Sequence, residues 1–140
     1  MPRLSLIIAE DDHFMREWLA ITLDALRADV LQASNGHELA ALIAARPDAD
    51  LVITDIRMPG PSGLEVLAMT RAAGNSIPFV FTTGYGGPDV LSAAAQLGAS
   101  VLQKPFSRRD LLARIEDICR ARSAGGIIDG NLAHASDDHE

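Results

Sequence analysis

Residues 51–60 read LVITDIRMPG, a largely apolar, β-branched run that reaches Asp55 and is followed by Pro59 and Gly60. A short apolar run without polar alternation is typical of a strand that is buried on both faces of a parallel sheet. The proline and the glycine that follow predict a turn. We therefore expect a buried strand whose carboxyl end presents an aspartate.

The chain contains four other short apolar runs of this kind. Segments in which apolar residues recur at helical spacing separate the five runs. The runs are Leu4–Ala9, Val30–Ala33, Leu51–Thr54, Phe79–Thr82 and Val101–Gln103. Apolar spacing predicts helices through Met15–Leu26, Leu39–Ile43, Leu64–Ala68, Pro88–Leu97 and Leu111–Cys119. Because strand–helix–strand crossovers are right-handed, this alternation predicts an α/β fold, a (βα)5 doubly wound sheet of five parallel strands.

Length and composition fit one domain with a tail. The chain has 140 residues, of which 48% are hydrophobic and 22% are charged, as in ordinary globular domains. We place the domain at residues 1–122, with a capping box at Ser107 and Asp110 before its last helix. Residues 123–140 contain three glycines and four acids but no lysine or arginine, which predicts a mostly disordered acidic tail.

Charge and cysteine usage narrow the class of function. The formal net charge of −7 argues against non-specific binding to nucleic acid, which requires a basic surface. The single cysteine, Cys119, cannot form an internal disulfide and fits a reducing compartment. The longest apolar run near the start, Leu6–Ala9, is too short for a signal peptide or a membrane span. We expect a cytoplasmic protein that contacts neither nucleic acid nor membrane.

Polar residues follow four of the five predicted strands. They are Glu10, Asp11, Asp12, Asp55, Thr83 and Lys104. Ligand sites of open α/β sheets lie at the carboxyl ends of the strands, so these side chains are expected at one edge. One lysine does not neutralise several carboxylates. A hard cation with oxygen ligands, Mg²⁺, is therefore the better candidate for the charge that offsets their repulsion. Alternatively, Asp11 and Asp12 only cap the first helix and complement its dipole.

The same residues suggest phosphoryl chemistry. A carboxylate beside a metal ion can attack phosphorus and form an acyl phosphate. The new phosphoryl oxygens require donors, and an ammonium group, a hydroxyl group and a metal ion supply them. Asp55, Lys104 and Thr83 provide the carboxylate, the ammonium group and the hydroxyl group at successive strand ends.

With these motifs in place, residues 3–122 resemble the receiver domain of two-component response regulators. The matching motifs are LIIAEDD at 6–12, DIRMPG at 55–60 running to Gly63, Thr83-Gly84, and Lys104-Pro105-Phe106. The resemblance implies a flavodoxin-like receiver fold and a phosphoprotein of signal transduction rather than an enzyme. It also implies a cis peptide bond at Lys104-Pro105.

The resemblance assigns roles to individual residues. Asp55 matches the aspartate that accepts a phosphoryl group from the phosphohistidine of a histidine kinase or of a histidine phosphotransfer protein. Thr83 matches the hydroxyl residue that responds to the phosphoryl group, and Lys104 matches the lysine that pairs with it. The implied Mg²⁺ ligands are Glu10, Asp11, Asp55 and the backbone carbonyl of Arg57.

Two positions distinguish this chain within the resemblance. Receivers commonly carry a tyrosine or phenylalanine three residues before the lysine, where this chain has Val101. Residues 78–85 read PFVFTTGY, which resembles a receiver subgroup with the signature Pro-Phe-x-Phe-Ala-Thr-Gly-Tyr. We hypothesise that Tyr85 takes over part of the switching; alternatively, it is a surface aromatic.

The resemblance also implies partners. A kinase domain bearing the phosphohistidine usually docks at the first helix, here with Phe14, Met15 and Trp18. Downstream partners use the face of helix 4, strand 5 and helix 5, here with Val90, Leu91, Gln103, Arg108, Arg109 and Arg114. Because only 18 residues follow Arg122 and they are acidic in balance, we expect a stand-alone receiver without a DNA-binding module.

Three alternatives are weighed against this interpretation. A flavodoxin-like cofactor binder requires a phosphate loop after the first strand, and acidic residues at 10–12 would repel the phosphate. An aspartyl phosphatase or phosphotransferase requires a second carboxylate two residues after the nucleophile, where Arg57 stands. A phosphorylation-independent pseudo-receiver would be a pure interaction module, and it remains the alternative for this chain.

Overall fold

The computed structural model describes residues 3–84 and 87–128. The strands are β1 (Ser5–Ala9), β2 (Asp29–Ala33), β3 (Leu51–Asp55), β4 (Phe79–Thr83) and β5 (Ser100–Gln103). The helices are α1 (His13–Asp24), α2 (Gly36–Ala45), α3 (Gly63–Ala72), α4 (Pro88–Gln96) and α5 (Arg108–Ile128). Strands and helices alternate along the chain, as predicted.

The five strands form one parallel sheet in the order β2-β1-β3-β4-β5. The central strands β1, β3 and β4 are almost entirely buried, whereas β2 and β5 at the edges are partly exposed. The sequence agrees with this burial, because the runs of β2 and β5 each include a glutamine, Gln32 or Gln103, whereas those of the central strands do not. Chain order reverses between β1 and β3, so the crevice for a ligand is expected where these two strands end.

Helices lie on both faces of the sheet. A cluster of buried apolar residues contains Phe79 and Phe81 of β4 together with residues of α2, α3 and α4. On α1, Leu19 and Leu23 are buried and lie outside that cluster. Successive strand residues point to opposite faces. The predicted doubly wound (βα)5 fold is confirmed.

Polar side chains cap the starts of α1, α2 and α5. Asp12 accepts a hydrogen bond from the Met15 N–H at 2.8 Å, and Asn35 accepts one from the Glu38 N–H at 2.8 Å. The predicted capping box is present, because the Asp110 N–H donates to Ser107 Oγ at 3.0 Å and the Ser107 N–H donates to the Asp110 carboxylate at 3.2 Å. Each cap satisfies a backbone donor that lacks a partner within its helix.

The last helix is longer than the sequence suggested. The chain divides into a compact unit of residues 1–106 and a second unit that begins at Ser107 and holds α5. Helix α5 continues beyond Arg122 to Ile128 and includes Gly125 and Gly126. The helix therefore runs past the predicted domain limit at residue 122, while residues 129–140 of the predicted tail lie outside the described part. In the described ranges, no helix has both the length and the apolar composition that a bilayer crossing requires.

Candidate functional site

Three carboxylates converge where β1 and β3 end. Carboxylate oxygens of Glu10, Asp11 and Asp55 lie within 4.8 Å of one another. Glu10 is buried at 2% side-chain exposure, Asp55 is 15% exposed, and Asp11 is open to solvent. Their strands are hydrogen-bonded neighbours in the sheet. The predicted clustering of these three residues is what the structure shows.

Lys104 reaches this cluster from the end of β5. Its Nζ lies 3.3 Å from Glu10 Oε1 and 3.3 Å from Asp55 Oδ2. Because β4 lies between β3 and β5, the lysine side chain must extend across β4. Burial alone would lower the pKa of Lys104, but the negative charges of Asp55 and Glu10 outweigh it and hold that pKa above its ordinary value. The ammonium group is thus kept charged beside Asp55.

Glu10 is the most restrained of the three acids. One carboxylate oxygen accepts the Asp12 N–H at 3.1 Å and the other accepts Lys104. Burial raises the pKa of Glu10, and the hydrogen bond from Asp12 and the charge of Lys104 offset this rise only in part. Arg16 donates from Nη1 to the Glu10 backbone carbonyl at 2.8 Å. These contacts fix the β1–α1 connection before any ligand binds.

Asp55 is oriented by the residues on either side of it. The Arg57 N–H donates to Asp55 Oδ1 at 3.3 Å, and Thr54 Oγ1 donates to the Asp55 backbone carbonyl at 2.8 Å. Its Oδ2 faces Lys104. The carboxylate is therefore held at the strand end, with one side toward a cation and the other toward the chain that follows.

The β3–α3 connection passes very close to Asp55 at Gly63. A Cβ atom on Gly63 would lie 2.6 Å from the Asp55 carbonyl oxygen and 3.0 Å from Phe81 Cε1. We predict that Gly63→Ala lowers the free energy of unfolding by about 2–3 kcal/mol, the cost of overpacking against backbone. Chemical denaturation followed by circular dichroism measures this loss. As a control, Gly84→Ala introduces a Cβ with no neighbour within 4 Å, and an equal loss in both variants would contradict the steric explanation.

The other residues singled out from the sequence are Thr83, Lys104-Pro105, Val101 and Tyr85, and the structure describes all of them except Tyr85. Thr83 ends β4, is 3% exposed, and its backbone carbonyl accepts the Lys104 N–H at 2.8 Å. The peptide bond between Lys104 and Pro105 is cis, as the resemblance implied. Val101 packs against the apolar cluster of the core, while Tyr85 lies outside the described residues.

Two residues that touch the site were missed from the sequence. Arg16 donates to the Glu10 carbonyl and Thr54 donates to the Asp55 carbonyl. Because every residue has a backbone carbonyl, the sequence does not indicate which one a side chain contacts. The sequence feature that could have indicated Arg16 is its position as a basic residue in the first turn of a helix that comes directly after three acidic residues. The acidic residues themselves have different roles, since Asp12 caps α1 and Asp11 belongs to the cluster.

Helix α1 exposes apolar side chains beside the cluster. Phe14 is 77% exposed, Trp18 is 36% exposed and Ile21 is 68% exposed. Trp18 also contacts Phe106, with 6.0 Å between the ring centroids. This surface extends from the acidic cluster along the helix, since the three residues are spaced by four and three positions.

The donor atoms fit a hard divalent cation. All three acidic ligands offer oxygen, the ligand type that Mg²⁺ prefers. Lys104 and Arg16, whose guanidinium donates to the Glu10 carbonyl, bring two positive charges to three carboxylates in the described site, so negative charge remains in excess. Asp11, which is exposed, and Asp55, which is 15% exposed, are more accessible ligands than Glu10, which is 2% exposed.

Comparison with known proteins finds a family model and two bacterial regulatory proteins that this chain resembles. The family model "Response regulator receiver domain" matches residues 6–116. The chain is 34% identical to the response regulator protein FleR of Pseudomonas aeruginosa over 91% of this chain and 27% of that protein. It is 30% identical to the phosphate regulon transcriptional regulatory protein PhoB of the same organism, over 86% of this chain and 54% of that one. The chain thus spans about half, or less, of the length of these relatives.

A solved structure is similar over nearly its full length. It is the N-terminal domain of an uncharacterized protein from Wolinella succinogenes, 32% identical, with a TM-score of 0.77. The alignment covers 86% of this chain and 98% of that one. The acidic cluster and Lys104 lie within residues 6–116, the range that the family model matches.

Proposed function

The chain belongs to the response regulator receiver domain family, and we propose from this premise that Asp55 accepts a phosphoryl group from a phosphohistidine. The donor is a sensor histidine kinase or a histidine phosphotransfer protein. Receiver domains of two-component systems are signalling proteins rather than classical enzymes. The observation that carries the proposal is the placement of Asp55 beside both an ammonium group and two further carboxylates.

We propose Mg²⁺ as the metal, held by Asp11, Asp55 and the backbone carbonyl of Arg57, with Glu10 in support. When bound, the ion withdraws charge from phosphoryl oxygens and so favours their transfer to a carboxylate. The oxygen-only donor set and the excess of negative charge support this assignment. Glu10 serves chiefly to orient the cluster, since its two oxygens hold Asp12 and Lys104.

The protein's own groups prepare Asp55 for in-line attack on phosphorus. Lys104 and the Arg57 N–H bind opposite oxygens of the carboxylate and fix its orientation. In the transfer, an Asp55 oxygen bonds to phosphorus as the bond from phosphorus to the histidine nitrogen breaks, and the electron pair stays on the imidazole. Lys104 and the Thr83 hydroxyl then donate to the phosphoryl oxygens. Hydrolysis of the acyl phosphate restores the carboxylate.

The signal is a shift between two conformations of the domain. Thr83 is followed by Gly84, whose missing side chain allows the backbone to change. We propose that the phosphoryl group draws Thr83 and the segment after it inward. The altered surface around α4 and β5 would bind a downstream protein, or the phosphoryl group would pass onward.

Several finer assignments stay predictions. They are the stand-alone role, the cytoplasmic location, the lack of nucleic-acid contact and the domain limit at residue 122. The purely interacting pseudo-receiver is not supported, because Asp55, Lys104 and the acidic cluster are all present and in contact. The Arg57 side chain occupies the place of the second carboxylate of aspartyl phosphatases, which disfavours turnover on free substrates.

Tyr85 is proposed as a substitute for the aromatic residue absent at Val101. The support is the likeness of residues 78–85 to the receiver subgroup with the Pro-Phe-x-Phe-Ala-Thr-Gly-Tyr signature. We predict that Tyr85→Ala changes the phosphoryl lifetime several-fold and reduces the phosphorylation-induced shifts in NMR spectra. If the lifetime and the shifts of Tyr85→Ala equal those of the wild type, Tyr85 has no role in switching.

Phosphotransfer profiling tests the proposed function. Candidate kinases are labelled on histidine and then mixed briefly with the wild-type chain and Mg²⁺. We expect a preferred kinase to lose its label to the chain within a short incubation, faster than the other kinases do. Failure of every phosphorylated kinase and phosphotransfer protein of the same cell to label the chain would contradict the assignment.

A further inference from the structure

We infer that the start of α2 positions the β3–α3 loop (residues 56–62) at the phosphorylation site, and that Gly36 is the positioning residue. The inference rests on the proposed function, because this loop carries the Arg57 carbonyl assigned to the metal. Neither Gly36 nor its neighbour His37 was among the site residues expected from the sequence. Both lie on a helix that contributes no group to the acidic cluster.

Gly36 makes backbone contact with the loop. Its N–H donates to the Pro59 carbonyl at 3.0 Å. A Cβ atom on Gly36 would overlap the Pro61 carbonyl oxygen and would lie 2.8 Å from the Pro61 carbonyl carbon. The obstructing atoms belong to backbone, so they cannot turn aside as the end of a flexible side chain could. Only glycine permits α2 and the loop to approach this closely.

His37 extends the contact by one residue. A Cβ atom on Gly60 would lie 2.8 Å from His37 Cδ2, and the Gly60 φ of +80° also favours glycine there. The imidazole therefore lies directly against the Gly60 backbone. Two consecutive residues of α2 thus support three consecutive loop residues, Pro59 to Pro61.

The loop is fixed at its other points independently of α2. The Gly63 N–H donates to the Ile56 carbonyl at 2.8 Å, and Thr54 Oγ1 donates to the Asp55 carbonyl. Asp55 itself belongs to β3, which is paired on both sides. A shift at Pro59–Pro61 would therefore displace Arg57 while Asp55 stays in the sheet.

The consequence concerns metal affinity rather than the transfer step. Metal–oxygen distances tolerate only a few tenths of an ångström, and supporting residues that orient ligands typically change metal affinity about 10–100-fold when replaced. If Gly36 acts through the Arg57 carbonyl, its replacement weakens Mg²⁺ binding. The rate of phosphorylation at saturating Mg²⁺ should fall by a smaller factor than the affinity, because the contact between Asp55 and Lys104 does not involve α2 and only the hydrogen bond from the Arg57 N–H to Asp55 is disturbed.

Three variants test this inference. Gly36→Ala inserts the overlapping atom, and His37→Ala removes the support at Gly60 without creating overlap. Gly74→Ala is the matched control: Gly74 has a φ of +82° and no neighbour within 4 Å of its Cβ position. That substitution is strained by its backbone and should lower stability by about 1 kcal/mol, yet it lies far along the chain from the loop.

Mg²⁺ affinity is measured by calorimetry, and the amide shifts of residues 56–62 are measured in metal-free protein by NMR. We expect Gly36→Ala to raise the Kd for Mg²⁺ about tenfold or more, with shifts concentrated in the loop. His37→Ala should raise the Kd by a smaller factor, and Gly74→Ala should leave both quantities unchanged. For Gly36→Ala, the rate of phosphorylation by acetyl phosphate at saturating Mg²⁺ should fall by a smaller factor than the Mg²⁺ affinity does.

The inference is overturned if Gly36→Ala retains wild-type Mg²⁺ affinity and loop shifts, or if Gly74→Ala weakens Mg²⁺ binding equally. Should Gly36→Ala fail to fold, His37→Ala decides: unchanged affinity and unchanged loop shifts then overturn it. A wild-type chain that binds no Mg²⁺ and accepts no phosphoryl group would instead refute the proposed function. In that case the metal-free loop shifts would still show whether α2 positions the loop.

Discussion

Replacement of Asp55 by asparagine is expected to abolish phosphoryl uptake. The amide oxygen is a far weaker nucleophile than a carboxylate oxygen, and no other acid in the cluster has the same contacts with Lys104 and the Arg57 N–H. We expect incorporation to fall below detection, a loss of at least about a thousandfold, equivalent to about 4 kcal/mol in the transfer barrier. The measurement is incorporation of labelled phosphoryl group from acetyl phosphate in the presence of Mg²⁺.

A neighbouring substitution provides a matched control. Asp12→Asn removes the same charge two residues from Glu10, but asparagine is as good an N-cap as aspartate for the Met15 N–H. We expect this variant to fold normally and to retain most of the incorporation. If Asp55→Asn still gains label at a rate comparable to that of Asp12→Asn, the phosphoacceptor is a different residue.

Replacement of Lys104 by methionine is expected to damage both stability and phosphorylation. Methionine keeps the approximate length of the side chain but leaves Glu10, which is 2% exposed, without its cation. Removal of one member of a buried ion pair commonly costs 3–5 kcal/mol; because Lys104 is 25% exposed, we expect about 2 kcal/mol in the metal-free protein. The loss of a donor to the phosphoryl oxygens should slow incorporation about a hundredfold or more.

The loss of stability in Lys104→Met should depend on pH. Burial already raises the pKa of Glu10 above 4.5 in the folded protein, so the folded state binds this proton more tightly than the unfolded state does. The contribution of Glu10 to stability is therefore greatest in acid and falls as the pH rises through its folded pKa. Without Lys104 that pKa rises further, so the difference from the wild type should widen from pH 4.5 toward neutrality.

Urea denaturation in the presence of a chelator measures this difference at several pH values. Lys104→Arg is the control, because it keeps a positive charge near Glu10 and Asp55 while changing the geometry of the donors. We expect Lys104→Arg to keep a larger fraction of the wild-type stability than of the wild-type rate of phosphorylation. A constant difference between Lys104→Met and the wild type from pH 4.5 to pH 7 would show that Glu10 does not depend on the ammonium group.

The sheet could be predicted because its central strands must be apolar on both faces. The runs ending at Ala9, Thr54 and Thr82 carry that signal and correspond to β1, β3 and β4 within one residue at their ends. The end of α5 could not be predicted in this way. Gly125 and Gly126 are poor helix formers, but extending an existing helix adds a hydrogen bond for each residue fixed, which favours continuation.

The acidic cluster and Lys104 could be predicted because topology alone brings the carboxyl ends of parallel strands together. What the sequence could not show is how the connections between elements contact one another. Arg16 binds a backbone carbonyl, and Gly36 matters only because Pro61 passes beside it. These contacts depend on the path of the backbone, which no residue type specifies on its own.

The most direct test of the central claim is the intact mass of the purified chain after incubation with acetyl phosphate and Mg²⁺. The account predicts a single gain of about 80 Da, the mass of one phosphoryl group, which fragmentation places on the peptide that contains Asp55. The gain should be absent when a chelator removes Mg²⁺. A chain that gains no mass under these conditions, or gains it on a peptide without Asp55, would contradict the account.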